Sequence, residues 1–196
     1  GPIGLNFAVH HPERIKHLII LNSWLWSSEN DPGFIKLARV LKSPLLPFLY
    51  RYLNFSARFL LPKSFGDHKI PGIILKQYTK PFAGKKERNG TVAFAKSLLN
   101  DQHWFQELWN KKQAVADKPA LFIWGMKDPV IPPRYLDKFL SGFHNATVIR
   151  LEGSGHFPQE EQPHVVTASI FDFLTRRSKG SSAGFKMETL MPGLPT

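Results

Sequence analysis

Residues 120–128, ALFIWGMKD, decide the fold of this chain. The unbroken apolar run 120–123 predicts a buried strand, and a sharp glycine turn then leads to Asp128. A second unit has the same design, because residues 146–151 predict a strand and a glycine-rich loop follows it to His156. Alternating strands and helices favour a parallel α/β sheet, in which neighbouring strands end at one shared edge. We therefore expect Asp128 and His156 to meet at that edge.

An acid and a histidine at adjacent strand ends are two members of a nucleophile–histidine–acid triad. Each residue also has an ordinary interpretation when it is considered alone. Asp128 precedes Pro129 and could simply form a turn, and a histidine in a glycine-rich loop is often only exposed. The combination of spacing and strand order favours the catalytic interpretation. The sequence offers no nucleophile to complete the triad.

The chain divides into four parts by its patterns. Residues 1–26 predict a helix and a strand of the sheet, and residues 119–177 predict the sheet segment that carries the acid and the histidine. Residues 27–118 interrupt this pattern with proline-separated amphipathic pieces, which predict a helical cap inserted at the sheet edge. Residues 178–196 are rich in Gly, Ser and Pro and are expected to be a disordered tail.

Composition excludes several classes of protein. The chain has no cysteine, which removes disulfides and thiol chemistry, and it has no apolar run long enough to span a membrane. We expect that residues 1–4 do not belong to a signal peptide and that the location is cytoplasmic. The net charge of +11 is concentrated in residues 36–118, which hold 16 Lys/Arg and 5 Asp/Glu. These cations are spread without a recognition pattern, so a solvated basic surface is favoured over nucleic-acid binding.

Several phrases resemble one enzyme family. Residues 1–4 (GPIG), 11–15 (HPERI) and 21–24 (LNSW) look like the region just after the nucleophile elbow of α/β-hydrolases. Residues 125–128 (GMKD) and 155–160 (GHFPQE) are similar to the haloalkane dehalogenase branch of that family. The resemblance is strong at these last two motifs and weak through the predicted cap. It implies the C-terminal part of an α/β-hydrolase sheet with an inserted helical cap.

The resemblance implies an aspartate nucleophile that displaces halide from a small hydrophobic substrate and forms an alkyl ester. His156 would then activate water to hydrolyse the ester, while Asp128 orients His156. Neither a metal nor an organic cofactor is implied. The nucleophile would fall just before Gly1, so we expect the chain to be a fragment that lacks this activity alone. The oligomeric state is left open.

Halide release needs weakly hydrated N–H donors, and an indole ring supplies one. Trp24 and Trp26 are candidates because they follow the first predicted strand at the entrance of the cap. Phe82 resembles a cap residue that lines the substrate cavity in the family. Tyr78 supports the alternative of an epoxide hydrolase, in which cap tyrosines protonate the epoxide oxygen. Packing in the core or the cap is the favoured interpretation of Trp24, Trp26 and Tyr78.

The sequence leaves two further alternatives for the function open. A carboxylesterase would use the same acid and histidine with a serine nucleophile. A non-catalytic module that binds an anion or a protein would instead use the basic predicted cap.

Overall fold

A computed structural model of the chain describes residues 1–178. The predicted tail lies outside the described residues, apart from Ser178 at the end of the last helix. The strands are β1 (Leu18–Leu21), β2 (Ala120–Gly125) and β3 (Ala146–Leu151). The helices are α1 (Pro2–His10), α2 (Pro32–Leu41), α3 (Leu46–Leu53), α4 (Leu61–Lys63), α5 (Gly72–Thr79), α6 (Asn89–Asn100), α7 (Gln102–Asn110), α8 (Pro133–Leu140), α9 (Pro158–Glu161) and α10 (Pro163–Ser178).

The strands form a parallel sheet in the order β1-β2-β3. Leu18 pairs with Ala120, which in turn pairs with Ala146, so the three strands start level. Their carboxyl ends therefore lie along the same edge of the sheet. This architecture confirms the predicted α/β class and its parallel sheet.

Strand β2 is buried along its whole length, as its apolar sequence requires. Side chains of a strand alternate between the two faces of a sheet. Phe122 and Trp124 pack on one face against α8 and α1, in the larger core cluster. Leu121 and Ile123 pack on the other face, against Leu151 and the apolar residues of α10. The sheet edge that carries the polar loops is thus fixed between two apolar layers.

Helices α2 to α7 lie between β1 and β2, and we call residues 32–110, which contain them, the helical insertion. It has a small core of its own, in which α2, α3 and α6 pack together. Asp31 begins α2 by accepting hydrogen bonds from the backbone N–H groups of Gly33 and Phe34. Buried Arg88 donates to the carbonyl oxygens of residues 51, 52, 82 and 83, and so joins α3 to the turn before α6. Within residues 1–178, no helix has the length and apolar character needed to cross a membrane.

Candidate active site

Asp128 lies in the turn that follows β2, and its side chain is fully buried. Its Oδ1 accepts hydrogen bonds from the backbone N–H groups of Val130 at 2.7 Å and Ile131 at 2.9 Å. Its Oδ2 accepts from the side-chain amide of Asn22 at 2.8 Å. A buried carboxylate needs such partners, because burying a charge without them is costly. The turn therefore holds the carboxylate in one orientation.

Asn22 follows directly after β1 and connects the ends of two strands. Its Nδ2 donates to Asp128 and to the carbonyl oxygen of Gly125, and its Oδ1 accepts from the Gly125 N–H at 2.8 Å. The side chain is buried and uses both ends of its amide. Asn22 therefore fixes both the end of β2 and the position of the acid.

His156 lies in the loop after β3 and completes the pair. Its Nδ1 is 2.7 Å from Oδ2 of Asp128. An ionised carboxylate can only accept, so this geometry places the ring proton on Nδ1 and leaves the lone pair on Nε2. One quarter of the His156 side chain is exposed, while that of Asp128 is not. The structure thus brings together the acid and the histidine from two strand ends.

The loop that carries His156 is bonded to the helical insertion. The His156 N–H donates to the carbonyl oxygen of Ser64 at 2.7 Å, and the Asp67 N–H donates to that of Gly153 at 2.8 Å. Glu161 spans the same contact, because its two carboxylate oxygens accept from the N–H groups of Gly155 and Gly66.

These contacts depend on glycines. A Cβ on Gly125 would lie 2.0 Å from the carbonyl oxygen of Gly155, and a Cβ on Gly155 would lie 2.3 Å from that of Ser64. A Cβ on Gly66 would lie 2.2 Å from the carbonyl oxygen of Gly153. The turn after β2, the His156 loop and the insertion therefore touch backbone to backbone, at distances that exclude any side chain.

Tyr78, on α5, lies beside the His156 loop. Its hydroxyl donates to Oε1 of Glu160 at 2.8 Å, and its ring meets Phe157 edge-on. Burial, followed by the hydrogen bond to Glu160, raises the pKa of Tyr78 to about 12. A tyrosine with a raised pKa, already donating to a carboxylate, is a poorer acid for protonating an epoxide oxygen.

Trp24 and Trp26 pack into the core in this structure. Trp24 is partly buried and contacts Phe105 edge-on, and Trp26 is buried against Trp109, Tyr135 and Phe139. Within the described part of the chain, the ring contact of His156 is with its neighbour Phe157 and with neither tryptophan.

Phe82 ends a short 3-10 turn after α5 and is partly buried. Its carbonyl oxygen accepts from Arg88 and from Asn54, so its backbone helps to hold the insertion together. Tyr50, which shares the helix α3 with Tyr52, is buried in the core of the insertion, and burial raises its pKa. Tyr52 is half exposed and stacks on Phe48. Among residues 1–178, no group of acidic or histidine side chains is arranged to hold a metal ion.

Comparison with known proteins identifies the fold family of the chain. A family model described as the alpha/beta hydrolase fold matches residues 1–163. The chain belongs to the alpha/beta hydrolase fold family. Haloalkane dehalogenase 2 of Mycobacterium tuberculosis is 26% identical over 174 residues, which cover 88% of this chain and 60% of that protein. A cis-3-alkyl-4-alkyloxetan-2-one decarboxylase of Xanthomonas campestris is 26% identical over 187 residues, covering 90% of this chain and 60% of that protein. This α/β-hydrolase chain thus spans about 60% of the length of these curated relatives.

Solved structures of haloalkane dehalogenases share the fold. The enzyme from Bradyrhizobium elkani superposes with a TM-score of 0.76 at 17% identity, covering 92% of this chain and 65% of that one. The enzyme from Agrobacterium tumefaciens gives 0.74 at 20% identity, covering 89% and 63%. At these identities the likeness establishes only the fold of this α/β-hydrolase chain.

Two residues that shape the site were not identified from the sequence. Asn22 could have been suspected, because it is a polar residue at the end of an apolar strand, where the predicted acid and histidine also lie. Glu161 gave no such signal, since its distant partner Gly66 is 95 positions away and donates through its backbone. Asn22 and Glu161 bond to the backbone or side chains around Asp128 and His156, and neither belongs to a characteristic sequence motif.

The chemistry open to this arrangement is general-base catalysis. The buried Asp128 holds the imidazole in one tautomer and stabilises the imidazolium that forms when Nε2 takes a proton. Within residues 1–178, Nε2 of His156 makes no hydrogen bond to protein, and the exposed part of the ring is open to a water or a reacting group.

Proposed function

We propose that the protein containing this chain is a haloalkane dehalogenase-type hydrolase, which replaces the halogen of a small hydrophobic haloalkane with a hydroxyl group. The observation that carries the proposal is the buried Asp128 bonded to His156 at the carboxyl edge of the parallel sheet. The likeness to haloalkane dehalogenase 2 supports the choice of substrate class. Because the chain spans about 60% of that relative, the activity is proposed for the whole protein.

The proposed reaction has two steps. A carboxylate nucleophile attacks the carbon, a carbon–oxygen bond forms, and halide departs with the electron pair of the carbon–halogen bond. Nε2 of His156 then takes a proton from water as the water oxygen attacks the ester carbonyl. The imidazolium returns this proton to the oxygen of the alkyl group as the carbon–oxygen bond to the carbonyl breaks, so the alcohol leaves and the carboxyl group, which loses its proton to solvent, is restored. The first step removes no proton, so His156 is needed only for the second. Neither step calls on a metal or an organic cofactor.

The experiment uses the longest in-frame protein that contains these 196 residues. Halide release from 1,2-dibromoethane and 1-chlorobutane is measured for the parent protein and for His156→Phe. We expect the parent to turn over and the variant to stop after one equivalent of halide, because the ester forms but cannot be hydrolysed. Intact-protein mass spectrometry should then show the added alkyl group. No halide release from the parent would contradict the proposal.

A second candidate is favoured by one observation. The relative from Xanthomonas campestris is named as a decarboxylase of a cis-3-alkyl-4-alkyloxetan-2-one, and its identity to this chain equals that of the dehalogenase. The same protein is therefore assayed with a cis-3,4-dialkyl-oxetan-2-one, with styrene oxide and with p-nitrophenyl butyrate. Turnover of one of these in place of the haloalkanes would replace the dehalogenase proposal by decarboxylase, epoxide hydrolase or carboxylesterase activity. If none is turned over and an anion or an acidic protein binds, the non-catalytic alternative is correct.

A further inference from the structure

The loop that presents His156 is bonded to the helical insertion at one contact. On one side lie residues 153–156, and on the other lies the segment Ser64–Asp67 between α4 and α5. Two backbone hydrogen bonds join them, from the His156 N–H to the Ser64 oxygen and from the Asp67 N–H to the Gly153 oxygen. We call this pair of segments the loop–insertion contact.

Glu161 lies at the centre of this contact. Its Oε1 accepts from the Gly155 N–H at 2.7 Å, and its Oε2 accepts from the Gly66 N–H at 2.9 Å. One carboxylate thus binds the residue immediately before His156 and, with its other oxygen, the insertion. Hydrogen bonds to an ionised group are stronger than those between neutral groups.

The neighbouring side chains strengthen the same contact. Phe157 stacks on Phe65 with ring centroids 5.7 Å apart and meets Tyr78 edge-on, while Glu160 accepts a hydrogen bond from the Tyr78 hydroxyl. The backbones approach so closely at Gly66 that only small displacements are possible. A shift of residues 64–67 is therefore transmitted directly to the backbone of His156.

We propose that Glu161 is a positioning residue for His156, and that through it the helical insertion holds the imidazole against Asp128. This inference rests on the proposed function of His156 as the general base. Glu161 takes no part in proton transfer in this account. It acts on the reaction only through the orientation of the imidazole.

The experiment is carried out by NMR on the full 196-residue chain without substrate. Glu161→Ala removes both acceptors, and Glu161→Gln keeps the size of the side chain but only one acceptor oxygen. Glu152→Ala is the matched control, because Glu152 is exposed in the same loop. The readouts are the ring Nδ1 proton of His156 and the amide exchange rates of Gly66, Gly155 and Phe122.

In Glu161→Ala we expect exchange at Gly66 and Gly155 to accelerate about tenfold or more, with Phe122 in β2 unchanged. The Nδ1 proton signal should shift or broaden, and Glu161→Gln should give a smaller change of the same kind. Glu152→Ala should match the parent. If Glu161→Ala does not fold, Glu161→Gln decides the outcome on the same readouts.

Two results would overturn the inference: a His156 Nδ1 signal that both Glu161 variants leave unchanged, or an equal acceleration at Phe122, which would indicate general destabilisation. A failure of the proposed function is distinguishable, since it would appear as absent halide release while these readouts still respond. If the longer protein is active, Glu161→Gln should also lower kcat, and KM should fall with it wherever ester hydrolysis limits the rate, because His156 serves only that second step.

Discussion

The loop after β2 and the loop after β3 each carry one member of the Asp128–His156 pair, but different parts of the molecule hold them. Asp128 is fully buried, and its supports are Asn22 and the backbone of its own turn. His156 is partly exposed, and its loop is bonded to residues 64–67 of the helical insertion. The acid is thus bonded to the sheet ends. The loop of the base is bonded to the insertion and also, through the Lys127 N–H and the Ser154 oxygen, to the turn of the acid. Substitutions that act on one support should leave the other largely intact.

The largest effect is expected where the two loops touch each other. Gly125→Ala would place a methyl group 2.0 Å from the Gly155 oxygen and 2.7 Å from the Ser154 oxygen, so two backbones must move. We expect the free energy of unfolding to fall by roughly 3 kcal/mol or more. Urea unfolding followed by circular dichroism measures it.

The control for this prediction is Gly90→Ala in α6, where a Cβ meets nothing within 4 Å. That change should be neutral or stabilise by up to about 1 kcal/mol, because alanine favours a helix over glycine. Equal effects of the two substitutions would contradict the close contact of the loops.

Asn22→Ala tests the support that the sheet edge gives to Asp128. This change removes a donor to Asp128, removes the side-chain acceptor of the buried Gly125 N–H, and leaves the Gly125 oxygen with the longer bond from the Asp128 N–H at 3.4 Å. We expect a loss of about 1–3 kcal/mol in the free energy of unfolding. Asn30→Ala, at an exposed position, should change it by less than about 0.5 kcal/mol. If Asn22→Ala behaves like Asn30→Ala, Asn22 does not support the acid.

The pH dependence of the unfolding free energy at Tyr78 tests the contact between the insertion and the segment that follows His156. Its folded pKa of about 12 lies above the ordinary value of 10.0, so the folded state holds this proton more tightly. The free energy with which the Tyr78 proton stabilises the folded state is fully present below pH 10 and is lost as the pH rises through 12. The parent minus Tyr78→Phe difference in unfolding free energy should therefore decrease between pH 9 and pH 12. A difference that grows with pH would contradict the contact with Glu160.

The smallest effect is expected at the ion pair that links the turn of Asp128 to the insertion. Lys127 Nζ lies 2.7 Å from Oδ2 of Asp67, and both side chains are more than half exposed. Lys127→Ala should cost less than about 1 kcal/mol, and 1 M salt should reduce that cost. A larger loss of unfolding free energy that does not depend on salt would show that the turn of Asp128 and the insertion are strongly coupled.

Much of the site could be predicted from local sequence. The run before Asp128 is continuously apolar and the run 146–151 before His156 is mostly apolar, and a polar residue that follows such a strand lies at the sheet edge. The supports could not be predicted in this way. Asn22 and Gly125 are 103 positions apart, and strand adjacency across a long insertion has no local signature. Trp26 looks the same in sequence whether it faces a substrate or, as in the structure, the core.

NMR of the His156 ring proton, in the full chain at neutral pH, tests the bond between Asp128 and His156 most directly. We expect a protonated Nδ1 with a downfield, slowly exchanging signal that Asp128→Ala abolishes and Asp67→Ala preserves. A spectrum in which the His156 proton resides on Nε2, or in which Asp128→Ala leaves the Nδ1 signal unchanged, would contradict it.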